Sequence, residues 1–187
     1  MPHEFIAYVG PMFSSKTSRL LMKLEKYRFK NKKIIAFKPK IDDRYSQNCI
    51  VTHSGWELPA ISVNHGNEIF EHIKKNKLEK FDVIAVDELF MIEGMAKAII
   101  SAYCNNYNIV VSTLDLSAQL TMFDEVKELL SWATDVQKCV AVCTMCGEDA
   151  QYTFKKQIKN NKQIIEVGGI DKYEPRCFKH HPVIKLI

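Results

Sequence analysis

The segment Gly10-Pro11-Met12-Phe13-Ser14-Ser15-Lys16-Thr17 carries the residue types that handle phosphate. The pattern glycine, four residues, glycine, lysine, serine or threonine builds a loop whose backbone N–H groups turn inward onto phosphate oxygens. Lys16 would reach the β- and γ-phosphates, and the Thr17 hydroxyl would help hold Mg²⁺. Ser15 stands where the pattern has its second glycine; the other positions are in register. A side chain there resists the backbone geometry that glycine permits, so its accommodation calls for a negative φ.

Asp87-Glu88 closes the apolar run Phe81–Val86. A carboxylate at the C-terminal end of a buried parallel strand lies where such sheets bind ligands. Asp87 is placed to help coordinate Mg²⁺. Glu88 is the better candidate base, taking the proton of an acceptor hydroxyl in line with the γ-phosphate. A third constellation is late in the chain: Cys143-Thr144-Met145-Cys146 and Cys177-Phe178-Lys179-His180 are two C-x-x-[CH] pairs. They supply four ligands for a closed, structural Zn²⁺ site, with His181 as the alternative fourth ligand.

These groups need a scaffold, and the pattern supplies one. Glu4–Val9 reads as a strand, Thr17 to about Asn31 as an amphipathic helix, and Lys33–Lys38 as a second strand, a unit that predicts a parallel sheet. Pro39–Glu57 is polar and turn-rich and reads as a loop. A helix is expected from Asn67 to about Lys77, and a central strand over Phe81–Val86. Further along come a helix near Glu93–Asn106, the strand Ile109–Thr113, a helix near Phe123–Ala133 and the strand Val136–Val142. After Val142 the alternation gives way to hairpin-like polar segments. A module so small lacks an apolar core, and the metal would hold it together. The expected fold is therefore α/β: a P-loop parallel sheet flanked by helices over residues 1–141, with a small C-terminal metal-held module over 142–187.

The chain has 187 residues, 47% hydrophobic and 26% charged, which fits a globular protein and excludes a disordered one. No apolar run approaches the roughly 20 residues of a membrane span. The start of the chain does not read as a signal peptide, and the six cysteines fall in metal spacing or are scattered. A reducing, cytoplasmic location is expected. The net charge of +4 is compatible with an anionic ligand. Lys155, Lys156, Lys159 and Lys162 read as a solvated basic hairpin, and Trp56 and Trp132 as packing residues.

The ordered set of motifs resembles the thymidine kinase family of the cellular and poxvirus type. Gly10–Ser14 with Lys16-Thr17 is similar to its GPMFSGKS/T loop, and Lys38–Tyr45 to its K-x-x-x-D-x-R-Y segment. Val86-Asp87-Glu88 resembles its acidic strand end, and Leu114-Asp115 its leucine-aspartate strand end. Ala141–Cys143, Gly168-Gly169 and Asp171–Cys177 resemble its zinc module. The resemblance implies transfer of the ATP γ-phosphate to the 5′-hydroxyl of thymidine or deoxyuridine, with Mg²⁺ and a structural Zn²⁺. It implies Glu88 as base, Arg44 and Asp42 near the transferred phosphate, and Gly10 through Thr17 around the donor. Met12 would pack on the sugar or base, Val167-Gly168-Gly169 would form a lasso over the base, and Tyr173 would close the site. It also implies a RecA-like sheet, a zinc-ribbon and lasso domain over 142–187, zinc ligation by Cys143, Cys146, Cys177 and His180, and a homotetramer. Besides Ser15, two positions depart from the family: Phe90, where it has glutamine, and Ala118, where it has an aromatic ring. The alanine enlarges the base pocket, with Phe90 or Phe123 available to refill it. Two rival readings are a nucleic-acid-binding zinc-ribbon ATPase and a catalytically impaired member acting as a binding protein. Neither a membrane nor a nucleic-acid partner is expected.

Overall fold

The structure, a computed structural model, describes residues 3–42, 44, 46–75, 80–156 and 167–184. Five buried residues make β1 (Phe5–Val9), which feeds a tight loop and then α1 (Lys16–Phe29). The chain continues through β2 (Ile34–Pro39), the short strands β3 (Cys49–Val51), β4 (Glu57–Pro59) and β5 (Ile61–Val63), and α2 (Glu68–Lys75). Then come β6 (Val83–Val86), a 3-10 turn at Leu89–Met91, α3 (Met95–Cys104), β7 (Asn108–Thr113), α4 (Asp124–Leu130) and β8 (Asp135–Lys138). The remaining elements are β9 (Ala141–Val142), β10 (Asp149–Ala150), β11 (Tyr152–Lys155), β12 (Tyr173–Arg176) and a 3-10 turn at Phe178–His180.

Among the described residues, six strands form one sheet in the order β5-β2-β6-β7-β1-β8. Every pairing in it is parallel, with Ile6 opposite Val110 and Ile35 opposite Ile84. Alternate residues of a strand point to opposite faces, and the core divides accordingly. Phe5, Ala7, Val9, Phe37, Ile84, Val86 and Val111 pack with Ile69, Ile99 and Leu129 from α2, α3 and α4. Ile6, Tyr8, Ala36, Ala85 and Val110 pack with Leu20, Leu24 and Tyr27 of α1 and with Ile50 and Leu58 of the β3–β4 hairpin. This is the expected α/β layering around a parallel sheet, and it brings the C-terminal tips of β1, β2, β6 and β7 to one edge.

Three local expectations are corrected. Residues 39–57 are not wholly loop: they include β3 and the start of β4, and β5 then adds the sheet's outer strand beside β2. These strands are three residues long, too short for a period to register. The single strand expected over Val136–Val142 is two, β8 in the parallel sheet and β9 paired antiparallel with β10. Trp56 and Trp132 are half exposed, at 51% and 47%, so they are not core residues. The end of the helix expected to Lys77, the Asp43 and Tyr45 positions and the lysines at 159 and 162 lie outside the described residues. Among those described, no helix is long and apolar enough to cross a membrane.

Candidate active site

The phosphate loop runs from β1 to α1. Gly10 is required at its base: φ is 148°, and a Cβ there would collide with the Cys139 carbonyl oxygen just beyond β8. Phe13 and Ser15 both adopt left-handed backbone, with φ of 65° and 60°. The negative φ expected for Ser15 is therefore wrong. The loop keeps the glycine-type turn and bears a conformational cost of roughly 1–2 kcal/mol for it. Ser15 is exposed, so its side chain is turned out of the packed core.

Lys16 is buried, and its Nζ donates to the Pro11 carbonyl at 2.6 Å, while the Ser14 hydroxyl donates to the same carbonyl at 2.8 Å. Burial pulls the Lys16 ammonium down, and the carboxylates of Glu88 and Asp87 oppose this. The Thr17 hydroxyl lies 3.1 and 3.3 Å from the two Asp87 carboxylate oxygens. Asp87 also accepts from the Ser112 hydroxyl on β7, and its N–H donates to Phe37 O at 3.0 Å, continuing the ladder of β6. Burial, and then the Glu88 charge, push Asp87 up to about 7. A cation bound between Thr17 and Asp87 would offset that penalty, and the pair fits the oxygen preference of Mg²⁺.

Glu88 turns the chain off the sheet with φ 49°. Its Oε1 is 3.5 Å from Arg44 Nη2, and its Oε2 is buried with no hydrogen-bond partner among the described residues. Arg44 also grips Asp42 with Nε and Nη2 at 2.6 and 2.7 Å and donates through Nη1 to Gly168 O at 3.0 Å. Burial raises Asp42, but the Arg44 guanidinium outweighs it and holds the carboxyl below its ordinary value. Lys38 is buried, and its Nζ donates to the carbonyls of Ser46 and Cys49, pinning the segment that carries Arg44.

These residues line two adjoining clefts. One, of about 720 Å³, is bounded by the phosphate loop, Lys16, Thr17, Asp42, Arg44, Asp87, Glu88 and the β3–β4 hairpin. The other, of about 540 Å³, is lined by Phe90, Leu114, Ala118, Phe123, Thr153, Gly168 and Tyr173, among others. Met12, Arg44 and Glu88 belong to both. Phe90 stacks on Phe123 with ring centroids 4.6 Å apart, so both rings fill space beside Ala118. Val167 is not among the lining residues; its carbonyl accepts from Lys172 Nζ at 3.0 Å.

The metal-ligand set is also brought together. The ligand atoms of Cys143, Cys146, Cys177 and His180 all lie within 4.8 Å of one another. Cys146 Sγ is 3.8 Å from Cys177 Sγ, and His180 Nδ1 is 3.9 and 3.2 Å from the sulfurs of Cys143 and Cys177. Tetrahedral zinc with bonds of about 2.3 Å places its ligand atoms roughly 3.8 Å apart, so the residues fit the ion. Burial pushes the Cys143 thiol up, but backbone N–H groups of Cys177, Met145 and Cys146 overcome this and bring it to about 6. His181 is not in the set: it is fully buried, with Nε2 3.2 Å from Thr153 O. Ser112 and Thr153 escaped sequence reading. Lone polar residues inside strands carry no motif, and their partners are distant in the chain.

A phosphate loop, an acidic strand tip beside it and a parallel sheet that presents both define a P-loop nucleotide-binding fold. A family model described as thymidine kinase matches residues 4–181, and the chain belongs to that family of ATP-dependent nucleoside kinases. Among solved structures, the ATPase DotB of Legionella pneumophila is similar at 14% identity and a TM-score of 0.48, over 80% of this chain. This chain spans 44% of that chain's length, and nothing about activity follows from so distant a likeness.

Proposed function

We propose that the chain transfers the γ-phosphate of ATP to the 5′-hydroxyl of thymidine or deoxyuridine, with Glu88 as the base. The observation that carries this reading is the shared wall: Met12, Arg44 and Glu88 face both the cleft that holds Lys16 and the neighbouring cleft of Phe90, Ala118 and Tyr173. A donor in the first and an acceptor in the second would meet at Glu88. The acceptor oxygen bonds to the γ-phosphorus, the bond to the β-phosphate oxygen breaks, ADP leaves, and the hydroxyl proton passes to Glu88. The unpartnered Glu88 Oε2 supports its assignment as proton acceptor. Lys16 and Arg44 would stabilise charge on the phosphoryl oxygens, and the Gly10–Thr17 loop would hold the donor. Thr17 and Asp87 would hold Mg²⁺, which neutralises charge on the β- and γ-oxygens.

On this reading Met12, Gly168 and Tyr173 contact the nucleoside, Val167 supports the lasso from outside the cleft, and Cys143, Cys146, Cys177 and His180 carry zinc. The protein would act in the cytoplasm as a homotetramer. The test is ATP-dependent phosphorylation of labelled thymidine by the wild type and Glu88→Gln, with other deoxynucleosides as competitors. Product that depends on Glu88 is expected. No transfer to any deoxynucleoside would remove the reading, and a non-thymidine competitor that wins would reassign the substrate to the pocket shaped by Phe90, Phe123 and Ala118.

A further inference from the structure

The phosphate loop and the metal module meet at one hydroxyl. The Met12 N–H donates to Thr153 Oγ1 at 3.0 Å, across 141 residues of sequence. Thr153 is 2% exposed and stands on β11 opposite Pro175 of β12. The Pro175 carbonyl accepts from the N–H of Thr144, which lies inside the first cysteine pair, at 3.2 Å. On the other side, the carbonyl of Thr153 itself is 3.2 Å from Nε2 of buried His181, the neighbour of His180. Both halves of the cysteine–histidine set thus brace the residue whose hydroxyl holds Met12.

Met12 is a sensitive place to hold. It follows Pro11, whose carbonyl receives Lys16 and Ser14, and precedes Phe13 in left-handed backbone. The Met12 N–H and the Pro11 carbonyl belong to one peptide unit, so movement of the 11–12 peptide would tilt the carbonyl that receives Lys16.

We propose that Thr153 is a positioning residue for the phosphate loop, through which the metal module fixes the loop's shape for nucleotide. This rests on reading residues 10–17 as the nucleotide site. Valine at 153 keeps the branched shape and removes the acceptor; serine keeps the hydroxyl.

The experiment titrates Mg²⁺ and N-methylanthraniloyl-ATP into zinc-loaded wild type, Thr153→Val and Thr153→Ser without nucleoside. Zinc content and melting are measured alongside. Loss of one partly buried hydrogen bond is expected to weaken nucleotide binding about five- to tenfold in the valine variant, with zinc retained and the serine variant close to wild type. Thr153 also lines the acceptor cleft, so the nucleoside KM is read separately. A rise in that KM alone, with nucleotide affinity unchanged, would overturn the proposal, as would equal losses in both variants. A folding failure of the valine variant is covered by hydrogen exchange on the wild type: protection of the Met12 amide is expected, and its free exchange overturns the proposal. Wild type that takes up no nucleotide would instead remove the nucleotide-site reading, and this proposal with it.

Discussion

Glu88 and Asp42 share one guanidinium. Arg44 touches both carboxylates but grips Asp42 with two short bonds and reaches Glu88 at 3.5 Å, which leaves one Glu88 oxygen unpaired. Glu88→Gln retains the shape and loses the carboxylate that would accept the proton. Its turnover is expected to fall by about 10²–10⁴-fold while nucleotide affinity stays near wild type, measured by kcat and by nucleotide titration. Asp42→Asn tests the other grip. The folded-state pKa of Asp42 is lowered, so its pairing stabilises the fold above the unfolded pKa of about 3.9 and is lost as pH falls through the lower folded value. Denaturant melts are expected to show the variant about 1–3 kcal/mol less stable at neutral pH, with the gap closing in acid. A gap that is constant down to the acid limit would mean that packing, not charge, holds Asp42.

Elements were legible where patterns ran long. The apolar run of β6, the helical spacing of α1 and the strand-helix alternation gave the parallel sheet and the motif positions on it. The loop at 10–17, Asp87-Glu88 and the two cysteine/histidine pairs are each gathered in space as their spacing suggested. What stayed hidden has a common physical cause: it depends on contacts between distant segments. β3, β4 and β5 are recognisable only by their partners. Ser112 on Asp87 and Thr153 on Met12 are single hydroxyls, and Gly10 is needed because of a carbonyl at Cys139. The conformation of Ser15 was misread because the turn, not the side chain, decides φ there. Ser15→Gly should relieve about 1 kcal/mol of strain. That gain is offset by about 0.4–1 kcal/mol of added unfolded-state entropy, leaving the melting temperature nearly unchanged. Closer backbone approach is expected to tighten nucleotide binding several-fold, read as a lower Kd. Weaker binding would show that the serine itself contributes to the site.

At the scale of the molecule, stability is unevenly shared. The parallel sheet has an extensive core on each face, whereas the cluster in the metal module consists of Ala141, Cys143 and Ala150 with Cys177 against it. So small a core would leave a zinc ion held by the cysteine–histidine set as the main tie. Chelation at neutral pH is expected to remove hydrogen-exchange protection from β9–β12 while the amides of β1, β6 and β7 remain protected. That outcome supports two units meeting near residues 141–142; simultaneous loss of protection throughout would show a single cooperative body.

The wall formed by Met12, Arg44 and Glu88 has a practical corollary for inhibitor design. With the proposed donor and acceptor seated in the two clefts that share these residues, one tethered compound, a nucleoside joined through a polyphosphate chain to adenosine, would span both. Once one end docks, the other is presented at high effective concentration, so its affinity should exceed that of either half by orders of magnitude. The tether length that binds best would also serve as a molecular ruler for the distance between donor and acceptor.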